Sequence, residues 1–152
     1  MDIKTIKNQI FEHCMQEVNS HIKANQEAIR QAQEAAKSET KTVASEEPET
    51  GKERMQLEIE LFGRRLDESV SKKALLHMLN YSKKFTVVEP GALVETSIGY
   101  FFICLSADEI EINGTDYCPI SLVSPIGQVL KDKQAGQSAE FRGRYIKVID
   151  VA

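Results

Sequence analysis

Three glutamates crowd one short break in this chain, Ser45-Glu46-Glu47-Pro48-Glu49-Thr50-Gly51, which separates two long stretches of helical period. Carboxylates are hard oxygen ligands. They can help complete the oxygen shell of a hard cation such as Mg²⁺. Placed where two helices turn back on each other, these acids would stand at the end of a long rigid finger, able to enter a place closed to a globular body. That geometry points to a function exercised inside another molecule. The plainer role for the same residues is a solvated cap, since each glutamate at a helix N-terminus contributes about 0.3–1 kcal/mol against the macrodipole.

The elements that would carry this tip are legible as period. Ile3, Ile6, Ile10, Cys14, Val18, Ile22, Ile29, Ala32 and Ala36 recur at threes and fours, with Asn25 as a polar position on the same line. Neither Gly nor Pro interrupts them. A stripe this narrow is the seam of a coiled coil, and the helix would be about 50 Å long at 1.5 Å per residue. The pattern fades from Ser38 to Gly51. It returns at Met55, Ile59, Phe62, Leu66, Val70, Lys73 and Leu76, running on to Leu79. Pro48 is suited to the first position of the second helix. Two long helices with a shortish link fold back most readily as an antiparallel hairpin, so residues 1–80 are read as a coiled-coil hairpin with an acidic tip near 38–51.

After Leu79 the period changes. Strands are expected at Phe85–Val88, Ala92–Ser97, Gly99–Leu105, Glu109–Ile112 and Ile120–Val123, then at Ser138–Phe141 and Tyr145–Val151. Turns are expected at Pro90-Gly91, at Arg142-Gly143 and above all at Asn113-Gly114, a strong hairpin signal. Ser124-Pro125-Ile126 opens a short helix, with Ser as N-cap and Pro at N1. Residues 84–152 are therefore read as a small antiparallel sheet with one helix, and the chain as α+β.

Bulk properties exclude several classes. The net charge of −4 argues against a nucleic-acid coat, and free-DNA binding is not expected. The longest apolar run, Tyr100 to Leu105, is too short to span a bilayer. The N-terminus lacks the apolar stretch of a signal peptide, so a cytoplasmic location is expected. Cys14, Cys104 and Cys118 have no CxxC spacing and read as buried reduced thiols. His13, His21 and His77 are spaced too widely for one metal site, and no metal of the free protein is expected. Basic residues gather on the second helix at Lys52, Arg54, Arg64, Arg65, Lys72 and Lys73.

A hairpin ahead of a small sheet with one short helix resembles the Gre transcript-cleavage factors (GreA/GreB). The more specific likeness is Ile120-Ser121-Leu122-Val123-Ser124-Pro125-Ile126-Gly127-Gln128-Val129-Leu130, followed by Lys133 and Gly136-Gln137. It is similar to that family's "IS…SPI…AL…GK…GD" stretch, and Arg144 to Ile149 is similar to its last strand. The resemblance implies an FKBP-like fold for the tail and docking on bacterial RNA polymerase, with the hairpin entering the secondary channel. It also implies that the tip carboxylates assist the polymerase's catalytic Mg²⁺ in cleaving backtracked RNA. The chain would not be an enzyme by itself, and would have no cofactor of its own.

The family's tip motif resembles D-L-x-E-N-A-E-Y, with an Asp and a Glu three residues apart, and Glu46 and Glu49 have that spacing here. The sequence departs from the motif at the first acid, where Glu replaces Asp, and at Pro48; the family's Asn and Tyr have no counterpart. The resemblance also assigns polymerase contact to Ser124, Pro125 and Ile126, and RNA or polymerase contact to Lys52, Arg54 and Arg64. Two rival functions stand beside it. One is a Gre-like channel binder that modulates or inhibits transcription without stimulating cleavage. The other is an FKBP-like peptidyl-prolyl isomerase with a helical stalk, which would need Phe85, Tyr100, Phe101, Phe102, Tyr117, Phe141 and Tyr145 to line a pocket.

Overall fold

Asp2 starts the first helix. Its carboxylate accepts the backbone N–H of Thr5 at 2.8 Å, and its carbonyl accepts that of Ile6 at 3.1 Å, closing a first turn whose donors would otherwise be unmet. In the computed structural model, which describes residues 2–41 and 48–152, α1 runs Ile3–Lys41 and α2 runs Pro48–Met78. The two form a helical hairpin. Asn80 stops α2: its side-chain oxygen accepts the N–H groups of Ser82 and Lys83 at 3.1 and 3.2 Å, an Asx turn that competes with further helix.

The chain divides into two compact units. One holds α1 and α2 between Val18 and Lys73; the other holds the first turns of α1 through Glu17 and everything from Ala74 onward. In the first unit the seam of α2 differs from expectation at one position. Ser69 is buried, while Val70 is 51% exposed. Met55, Ile59, Phe62, Leu66, Ser69 and Lys73 follow strict 4-3-4-3-4 spacing, which Val70 would break. Period therefore outranks hydrophobicity in choosing the inward residue. On α1, Val18 and Ala32 are buried and Ile22 and Ile29 half-buried. Arg30 is flanked on the exposed face of α1 by Glu27 and Glu34.

In the second unit six strands form one sheet in the order β3-β4-β2-β1-β6-β5. They are β1 Leu93–Thr96, β2 Gly99–Ile103, β3 Ile110–Ile112, β4 Thr115–Ile120, β5 Ser138–Phe141 and β6 Arg144–Val151. Four junctions are antiparallel, as expected. The fifth, β2 with β4, is parallel, because β3 occupies the edge and the Asn113-Gly114 turn brings β4 back between it and β2. Both turn residues have positive φ, 52° and 81°, the backbone such a tight hairpin requires.

Two segments depart from their expected form. Phe85–Val88 is not a strand but a buried loop: Phe85 and Val88 plug the core, and a single bridge joins Val87 to Gln134. The strand expected at Ile120–Val123 lies earlier, at Thr115–Ile120, and contains Pro119. That proline is tolerated because its carbonyl faces Ala107 of the β2–β3 connection, whereas Ile120 O accepts the N–H of Cys104, which follows β2. The missing N–H of Pro119 thus points away from β2, where no ladder bond is lost.

Alternation gives this sheet two apolar faces. On one, Val94, Phe101, Ile103, Ile120, Ile146 and Val148 pack with Leu130 at the end of α3 (Pro125–Leu130). On the other, Phe102 stacks on Tyr81 at 5.8 Å, and Tyr81 meets Phe11 of α1 at 4.7 Å. His13 and Glu17 hold the same region by polar contacts, Nε2 of His13 lying 2.9 Å from Asp108 O and the N–H of Asp108 donating to Glu17 at 3.2 Å. The first turns of α1 are thus part of the globular unit and cover its second face.

Candidate functional site

The sequence nominates three places, and each is built by a different local rule. At the acidic break, Glu46 lies outside the described residues, as does its neighbour Glu47. α2 is described from Pro48 onward, with Glu49 next in it.

Farther along α2, Lys52, Arg54 and Arg64 are all exposed. Arg65 lays its guanidinium over Phe62 at 5.6 Å, a packing that covers apolar surface with a charged side chain. The outward face also carries Leu57, 66% exposed, and Leu61. With Glu53, Arg54 and Glu58 they bound a shallow groove of about 420 Å³. Leu57 and Leu61 escaped the sequence reading because they lie off the seam; the signal was two leucines four residues apart between charged neighbours. Inside the same unit a cleft of about 300 Å³ is lined by His21, Ala24 and Asn25 of α1 and by Arg65, Glu68, Ser69 and Lys72 of α2.

The third place is the turn before α3. Ser124 is the N-cap, with extended backbone (φ −67°, ψ 156°), and its hydroxyl accepts the N–H of Gly127 at 3.2 Å while donating to Ser121 O. Ser121 in turn uses its hydroxyl to accept the N–H of Val123 at 3.2 Å. Gly127 is buried against this turn, where a Cβ would fall 2.0 Å from Ser121 O. The residue types of Ser121, Ser124, Pro125 and Gly127 are therefore fixed by local geometry. Ser124 is occupied as a cap and Ile126 packs on the core. Pro125 is exposed, and so is Val123, at 79%. Val123, which the sequence reading passed over as strand, adjoins Pro125 as the apolar surface of this turn.

The remaining candidates have structural duties. Cys14 and Cys104 are buried, and the Cys104 thiol donates to Leu105 O at 3.4 Å; the neighbouring Cys14 thiol and burial raise the pKa of Cys104, and burial raises that of Cys118. Phe85, Phe101, Phe102 and Tyr117 are buried, and Tyr145 is 76% exposed. Among the described residues no three His, Cys, Asp or Glu side chains are grouped to hold a metal, and no helix is long and apolar enough to cross a membrane. A further cleft, about 540 Å³, lies between the β1–β2 turn and the β3–β4 hairpin, with Glu109, Asp116 and Cys118 in its wall.

Comparison with known proteins adds little. No family model matches the chain, and no curated protein does. Among solved structures, that of the transcription factor Gfh1 is similar at 19% identity, covering 93% of this chain and 92% of the other with a TM-score of 0.34.

Proposed function

We propose that this chain is a Gre-type elongation factor that docks on bacterial RNA polymerase and passes its helical hairpin into the secondary channel. The observation that carries the reading is local. The Gre-like stretch from Ile120 to Leu130 folds as one unit, a Ser-capped turn closed on Gly127, in a chain that also has the hairpin and the sheet. Val123 and Pro125 are its docking surface, with Lys52, Arg54 and Arg64 meeting RNA phosphates or polymerase acids.

In this reading Glu46 and Glu49 complete the oxygen shell of the polymerase's Mg²⁺ and help place the water that cleaves backtracked RNA. The polymerase supplies the main catalytic groups. Stalled, backtracked complexes incubated with the chain are expected to release short 3′ fragments. Joint replacement of Glu46 and Glu49 by Ala is expected to stop release while binding persists.

A second reading keeps the partner and drops the chemistry, so that the hairpin occupies the channel and slows synthesis. Its support lies in the sequence, where Glu stands in place of the family motif's Asp and Pro48 precedes the second acid. Binding without fragment release, insensitive to the double replacement, selects this second reading.

A further inference from the structure

A pocket of about 490 Å³ opens in the globular unit between the start of α1, the segment after Asn80 and the end of β6. Its walls are mostly apolar, from Ile3, Tyr81, Phe85, Val151 and Ala152 with Ser82 and Thr86 between them, yet lysines stand around it at Lys4, Lys83 and Lys84. Behind the floor lies a fourth, Lys7, only 1% exposed, whose ammonium sits 4.6 Å from the centre of the Phe85 ring. Lys83 approaches the same ring at 5.1 Å and is engaged by Glu89 at 2.9 Å. Four cations around one apolar cavity are notable in a chain of net charge −4. A buried ammonium without a carboxylate is costly, and burial alone draws the pKa of Lys7 down to about 8.

We propose that this pocket docks an acidic peptide segment of a partner protein, one bulky apolar side chain filling the cavity while flanking carboxylates meet Lys4 and Lys84. Charge complementarity selects this occupant. The cations come from two separate elements, α1 and the segment after Asn80, so they match charges spread along a chain. A single-headed amphiphile would satisfy one and leave the others. The pocket shares no residue with the turn before α3 or with the basic face of α2, so it stands or falls apart from the function proposed above.

The test is fluorescence polarisation with the full chain and a labelled pentapeptide of four glutamates around a central phenylalanine. Saturable binding is expected, weakened about tenfold or more by joint Lys4→Glu and Lys84→Glu, which are exposed positions, and weakened by added salt. Replacing the peptide's phenylalanine by alanine, or its glutamates by glutamines, is expected to abolish it. In ¹⁵N spectra the titration midpoint of Lys7 is expected to rise on peptide binding. The proposal is overturned if the charge-reversed variant binds equally well or if the peptide does not bind. It is equally overturned if decanoate occupies the pocket while the peptide does not.

Discussion

Gly127 and Ser121 approach so closely that any side chain on Gly127 would meet the Ser121 carbonyl, its Cβ only 2.0 Å from the oxygen. This contact explains why the turn before α3 needs glycine there although the helix would prefer alanine. The atoms it would meet, in Ser121 and Leu122, are all backbone and leave nothing that can yield. Gly127→Ala is expected to destabilise the protein by about 3 kcal/mol, at the upper end of overpacking costs, as read from the urea midpoint.

The cap that precedes it is worth less. Ser124→Ala removes the acceptor for the Gly127 N–H and is expected to cost about 1 kcal/mol. Restoration by Ser124→Asp, measured the same way, separates capping from a loss of packing.

Lys7 makes stability depend on pH in a defined direction. Its folded pKa of about 8 lies below the ordinary lysine value of 10.5, so between those limits the unfolded chain holds a proton that the folded one has released. Stability therefore rises with pH across that window, and the penalty is complete below it. Lys7→Met keeps the buried stem and removes the charge. It is expected to stabilise the protein by about 1–2 kcal/mol at pH 7, and to flatten the slope between pH 8 and 10 in urea unfolding.

The seam of α2 offers a paired test. Ser69→Arg places a long charged side chain at a buried position and is expected to cost about 1–2 kcal/mol. Val70→Arg, one residue away on an exposed face, is expected to stay within about 0.5 kcal/mol. Equal effects would put the seam on the wrong line.

Where physics is local, the sequence was a sufficient guide. The Ser124-Pro125 cap and the Asn113-Gly114 turn each follow from backbone geometry within a few residues. Partners distant in sequence were harder to read. Val70 looks like a seam residue because it is apolar, whereas only spacing marks Ser69 as the buried one. Pro119 hid β4, since its acceptability depends on which side of the strand a neighbour occupies. Phe85–Val88 looks like a strand in composition but is a plug, a role set by the cavity it fills. Nothing in the sequence announced Lys7 as buried, because its place under Phe85 depends on a contact between residues far apart in the chain. Beside the candidate residues, Leu57 and Val123 carry no sequence signal of exposure, one lying off the seam and the other ending a strand-like run.

Equilibrium binding of the full chain to bacterial core RNA polymerase tests the central claim most directly. Saturable binding is expected, weakened about tenfold or more when Val123→Glu and Pro125→Glu are combined on the exposed surface of the α3 turn. Absence of binding by the unaltered chain, or affinity indifferent to that double change, would contradict the account.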